Sequence, residues 1–141
     1  MTDYNKAGWV IGLDLGDKES HYCELASVGD EMTEGRVKTT ESALKKQAEQ
    51  WRGARVVMEA GTHSPWVSRL VEAAGAEAVV ANPRKVQLIT RNVKKRDPVD
   101  ARLLARLGRA DVTLLSPLKH RGAATQADLA VIKARDVAVR V

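Results

Sequence analysis

Two apolar runs in this chain end on carboxylates, and that pairing restricts the fold more than any other feature. WVIGLDL at residues 9–15 carries Asp14 near its far end, and ARVVME at residues 54–59 closes on Glu59. The first run is too short and too glycine-interrupted for a helix and reads as a buried strand, as does the second. Burying an unpaired charge is costly, so apolar strands that end on carboxylates usually hold them for a cation or a proton-transfer task. Two further acids, Asp97 and Asp100, stand three residues apart where a helix is expected to begin. None of these four carboxylates suits a hydrophobic core.

The remaining elements follow from periodicity and punctuation. HYCELA at residues 21–26 and RVKT at residues 36–39 read as two more strands, joined through the turn-rich VGDEMTEG, so the first three strands form an antiparallel meander. Thr40 can cap a helix in which Leu44, Ala48 and Trp51 recur at helical spacing until Gly53. Ser64 and Pro65 supply an N-cap and a first-turn proline for a second helix carrying Val67, Leu70, Val71 and Ala74, which Gly75 stops. AEAVVA at residues 76–81 is a fifth strand, and Asn82 and Pro83 open a helix with Val86 and Ile89. The order β-β-β-α-β-α-β-α-α predicts an α/β fold with a mixed sheet, the later strands joined by right-handed helical crossovers. Sites in parallel sheets collect at the carboxyl ends of strands, where Asp14 and Glu59 both stand. If those strands are neighbours they lie roughly 4.8 Å apart, close enough for the two carboxylates to share an ion.

Length and charge narrow the functional classes. The 141 residues suffice for one hydrophobic core around a central sheet. Cys23 is the single cysteine, which excludes an intrachain disulfide and suits a reducing cytoplasm. The amino terminus lacks a signal-peptide pattern and no apolar run approaches membrane-spanning length, so no membrane partner is expected. Residues 84–109 hold nine Lys or Arg against two acids, whereas the whole chain has a net charge of +5, so the remainder is slightly acidic. A basic segment around a carboxylate pair suits a polyanion held close to an acidic, metal-loaded centre, although such runs are often only a solvated surface. Within that segment, residues at 100° intervals place Asp100, Leu104 and Leu107 within about 80° of Asp97, while Arg102, Arg106 and Arg109 lie about 120° to 180° away. The two acids are therefore expected on the edge of the core-facing side, with the arginines toward solvent, a partner or distant phosphates. Acids in a first helical turn also favour the helix dipole, which is the plain structural explanation for Asp97.

Taken together, GLDLG, MEAGTHSPW, ANPRKV and KKRDPVDARLLA resemble the amino-terminal domain of the DEDD transposase family of insertion sequences. The blocks keep family order and near-family spacing over about residues 8–120. The resemblance implies an RNase H-like, RuvC-like core whose acidic tetrad falls on Asp14, Glu59, Asp97 and Asp100, acting both as catalytic residues and as metal ligands. It also implies Mg2+ as the ion, with Mn2+ able to substitute, and DNA and a structured guide RNA as partners. Lys94, Lys95 and Arg96, with Arg84 and Lys85, are the expected nucleic-acid contacts. Family members commonly carry Lys-Thr-Asp before the last acid pair. Here Arg96 replaces the threonine, and Pro98 follows Asp97.

Family members also possess a carboxy-terminal domain with a serine nucleophile, which nothing in this sequence resembles. Residues 1–120 are expected to form the catalytic domain and residues 121–141 the start of a helical linker, with a homo-oligomer as the state of the full-length protein. Ser64 is better explained as a helix cap than as a nucleophile. His63 could touch substrate or metal, yet a loop histidine beside a site is more often a hydrogen-bonding support. Trp9, Trp51 and Trp66 read as packing residues, though Trp66 could stack a base. Cys23 reads as a small buried apolar residue. Alternatives are a RuvC-like junction resolvase or RNA-processing nuclease, and a non-catalytic nucleic-acid-binding fragment. An actin-like or sugar-kinase ATPase would need a second half and a second phosphate loop.

Overall fold

Side-chain alternation along β1 (Val10–Asp14) sorts the molecule into layers. Ile11 and Leu13 point to one face of the sheet, where they meet α1 (Glu41–Glu49) and α2 (Ser64–Ala73) in a core that includes Leu44, Trp51, Val56, Met58, Val67 and Val71. Val10 and Gly12 point to the other face, which α4 (Ala101–Ala110) covers with Leu104 and Ala105. The computed structural model describes residues 6–90 and 100–120.

Five strands make the sheet, in the order β3-β2-β1-β4-β5. β2 (Glu19–Leu25) and β3 (Met32–Lys38) are the antiparallel meander, while β4 (Arg55–Glu59) and β5 (Glu77–Ala81) run parallel to β1. Helices α1 and α2 supply the crossovers, and α3 (Pro83–Thr90) follows β5. This mixed sheet with helices on both faces is the α/β architecture that the sequence leads one to expect. Among the described residues no helix is long and apolar enough to cross a membrane.

Local chemistry accounts for the boundaries, including those the sequence misplaces. Thr40 caps α1 as expected, its hydroxyl accepting from the Ala43 N–H at 3.3 Å. Trp51 lies just beyond the end of α1 but is fully buried, and its indole N–H donates to Glu24 at 2.7 Å. β3 starts four residues before the expected strand, because MTEG is polar only through being the exposed edge of the sheet. Ser64 is the first residue of α2 rather than its cap. Its buried hydroxyl accepts from the Gly61 N–H at 2.9 Å and lies 2.9 Å from His120 Nε2. A short 3-10 turn, Val112–Leu115, buries Leu115, and Leu118 then bridges to Val80 on the far edge of the sheet.

Candidate active site

The two strand-end acids meet because β1 and β4 are neighbours. Val10 lies opposite Arg55, Ile11 opposite Val56 and Gly12 opposite Val57. Two residues further on, that register brings Asp14 level with Glu59. Both carboxylates belong to the face covered by α4, since Asp14 shares the parity of Gly12 and Glu59 that of Val57.

Gly12 decides how close α4 comes. A Cβ there would overlap the Ala101 carbonyl and stand 2.7 Å from the Ala105 nitrogen, so only glycine lets the first turns of the helix lie directly on β1. Gly108 repeats the device two turns on, where a Cβ would come within 2.5 Å of a Val57 methyl. The residue just before this close contact is Asp100. It is the N-cap of α4, its Oδ1 accepting from the Leu103 N–H at 2.9 Å. Docking of α4 thus carries Asp100 toward the open end of β1.

The electrostatics follow from this assembly. Burial pushes the Asp14 carboxyl above its ordinary value of 3.8, and the charge of Asp100 pushes the same way, while His21 opposes them. Burial likewise pushes Glu59 above 4.5, with Asp14 adding repulsion. Asp14 therefore couples to an acid on either side. It also lines two adjoining depressions. One, of about 220 Å³, is bordered by Asp14, Asp17, Glu59 and His63. The other, of about 270 Å³, is bordered by Asp14, His21, Glu34, Asp100 and Arg102. Arg102 pairs there with Glu34 at 3.2 Å and stands 4.0 Å from Asp100.

Some expectations need correction. The helix begins at Ala101, so Asp100 is its cap rather than a residue inside it; a cap has extended backbone, and Asp100 has φ −114° and ψ 175°. Asp97 lies outside the described residues, as do Lys94, Lys95 and Arg96. Arg84 and Lys85 are exposed at the start of α3, just past Ala81, the register partner of Glu59. The three arginines of α4 are not one solvent-facing set. Arg102 is ion-paired, and Arg109 donates to the carbonyls of Ala26 at 3.1 Å and Gly29 at 2.6 Å, tying down the β2–β3 loop. Two neighbours of the acids escape sequence reasoning. His21 comes opposite Asp14 only through the hairpin register, and Asp17 reaches the cleft through the loop that follows β1.

A family model described as Transposase, of the DEDD type in the IS110 group, matches residues 11–139. The chain belongs to this transposase family. No curated protein matches the sequence. Among solved structures, a RuvC from Thermus thermophilus is similar to this transposase with a TM-score of 0.44 and 16% identity, over 78% of this chain and 99% of that one.

DEDD transposases imply a divalent metal, and the donor chemistry here suits one. Asp14, Glu59 and Asp100 offer only carboxylate oxygens, the ligands that hard ions such as Mg2+ prefer. Asp14 and Glu59 are partly withdrawn from water, the charge of Asp100 further raises the proton affinity of Asp14 and that of Asp14 raises Glu59's, a conflict that a cation relieves. Among the described residues no three His, Cys, Asp or Glu side chains converge tightly enough to enclose an ion, and one Asp100 oxygen is committed to the helix cap. The described set is therefore open.

Proposed function

We propose that this transposase chain is the metal-dependent nuclease domain through which an insertion sequence is cut and rejoined, with a structured RNA guiding the choice of DNA. The observation that carries the reading is the alignment of Asp14 with Glu59 at adjoining ends of parallel strands, with Asp100 brought beside them by α4. Asp14 is the shared ligand, Glu59 and Asp100 flank it, and Asp97 completes the tetrad. When bound, Mg2+ or Mn2+ would stabilise the attacking and leaving oxygens of an in-line displacement at phosphorus. The chain's own part is to hold four carboxylates in place and to seat the phosphate backbone on cations. Arg84 and Lys85 stand close beyond the acidic strand ends, and Lys94, Lys95 and Arg96 immediately precede the acid pair. In this reading residues 1–120 form the catalytic unit of a homo-oligomeric, cytoplasmic enzyme.

Calorimetric titration with Mg2+ or Mn2+ tests the assignment. The parent should bind, and Asp14→Asn or Asp100→Asn should weaken binding markedly; if both variants bind like the parent, the site is elsewhere. Neutralising Lys94, Lys95 and Arg96 together should weaken DNA and RNA binding across sequences and flatten its salt dependence.

A further inference from the structure

The loop between β4 and α2 places a histidine at the mouth of the Glu59-side depression and fixes its ring from both sides. The indole N–H of Trp66 donates to His63 Nδ1 at 3.1 Å, with the two rings edge to face at 5.9 Å. Indole nitrogen can only donate, so Nδ1 must be the acceptor and the proton of the neutral ring resides on Nε2. That Nε2–H donates to Asp17 Oδ1 at 3.0 Å. The two partners differ sharply in exposure. The His63 side chain is 24% exposed, held between the indole and the cleft wall, whereas Asp17 is 93% exposed. A fixed donor is thus satisfied by a carboxylate that water can solvate freely, and such a contact contributes little to stability. Both residues line the depression that Asp14 and Glu59 share.

We propose that His63 is a substrate-positioning residue: its Nε2–H donates to a phosphate oxygen of the nucleic-acid strand brought to Asp14 and Glu59, and Asp17 fills that donor until the strand arrives. This inference rests on the nuclease reading above. A phosphodiester oxygen is the natural replacement for Asp17, because it too is an anionic acceptor and it comes with the strand that the acids must engage. Trp66 has the supporting role. By occupying Nδ1 it keeps the donor on Nε2, so no tautomer change accompanies the exchange. Asp17 works against the strand twice, by competing for the donor and by adding negative charge at the cleft mouth.

The test is binding of a fluorescent branched DNA to the intact protein, combined with ring-nitrogen NMR of His63. His63→Ala should weaken binding about tenfold, the scale of one hydrogen bond to a charged acceptor. His63→Gln, which keeps an N–H donor, should recover part of that loss. Asp17→Asn should tighten binding several-fold in the parent and distinctly less in the His63→Ala background. The NMR signature of an Nε2–H tautomer should be present in the parent and diluted in Trp66→Phe. Equal binding by parent and His63→Ala, or an Asp17→Asn gain that is the same with and without His63, overturns the inference alone. A parent that binds no nucleic acid overturns it together with the nuclease reading.

Discussion

Replacing Gly12 with alanine asks how far the site depends on a single missing methyl. The added Cβ would occupy the space of the Ala101 carbonyl and crowd the Ala105 nitrogen at 2.7 Å, both of them backbone atoms of α4. Backbone cannot rotate out of the way as a side chain can, so the helix must lift from β1. Overpacking a filled core costs about 1–3 kcal/mol, and a clash against helix backbone belongs at the upper end. For a chain of this size each kcal/mol lowers Tm by roughly 3–6 °C, so Gly12→Ala should melt about 10–15 °C below the parent. Gly108→Ala is the internal control. Its Cβ meets methyl groups of Val57 at 2.5 Å and Val10 at 3.2 Å, which can shift, so it should cost less, about 1 kcal/mol. Because lifting α4 withdraws Asp100 from Asp14, Gly12→Ala should also weaken Mg2+ binding at temperatures where the variant is still folded. Calorimetric melting and metal titration of both variants check this. A Gly12→Ala protein that melts with the parent, or one less perturbed than Gly108→Ala, would refute the idea that direct helix-on-strand contact sets the site.

Three further outcomes follow from other parts of the structure. Asp14 and Glu59 hold protons more tightly folded than unfolded, so stability should fall as pH rises from their ordinary values of 3.8 and 4.5 through the raised folded values, then level off. Metal-free Asp14→Asn should therefore be more stable than the parent at neutral pH, with the difference vanishing in acid; urea melts from pH 3 to 8 that run parallel would contradict the burial and repulsion that raise these carboxyls. Arg109→Ala should cost about 1–2 kcal/mol and speed amide exchange around Ala26 and Glu31, whose backbone bond closes the loop that Arg109 holds; unchanged exchange there would show the guanidinium to be dispensable. Burial pushes the Cys23 thiol up to about 11, so a thiol reagent at pH 8 should label it only after unfolding; rapid labelling of the native protein would argue against the closed packing of α4 on β2.

The order of elements and the apolar strands that carry Asp14 and Glu59 are legible without tertiary structure, because period-two and period-3.6 patterns and the Thr40 cap are local signals, read within a few residues of the sequence. It could not see β3 at full length, since residues at a sheet edge look like a turn until β2 pairs with them. Nor could it separate the arginines of α4 by role. A helical wheel gives direction around one axis, whereas Arg109 finds its partners 80 and 83 residues back in the chain, at Gly29 and Ala26. The site divides the same way. Chemistry in the sequence marks which acids are out of place in a core, but parallel pairing of β1 with β4 aligns Asp14 with Glu59. The hairpin register sets His21 against Asp14, and the absent side chain of Gly12 admits α4 and with it Asp100. These are contacts between residues far apart in sequence, and their geometry exists only once the whole chain has packed.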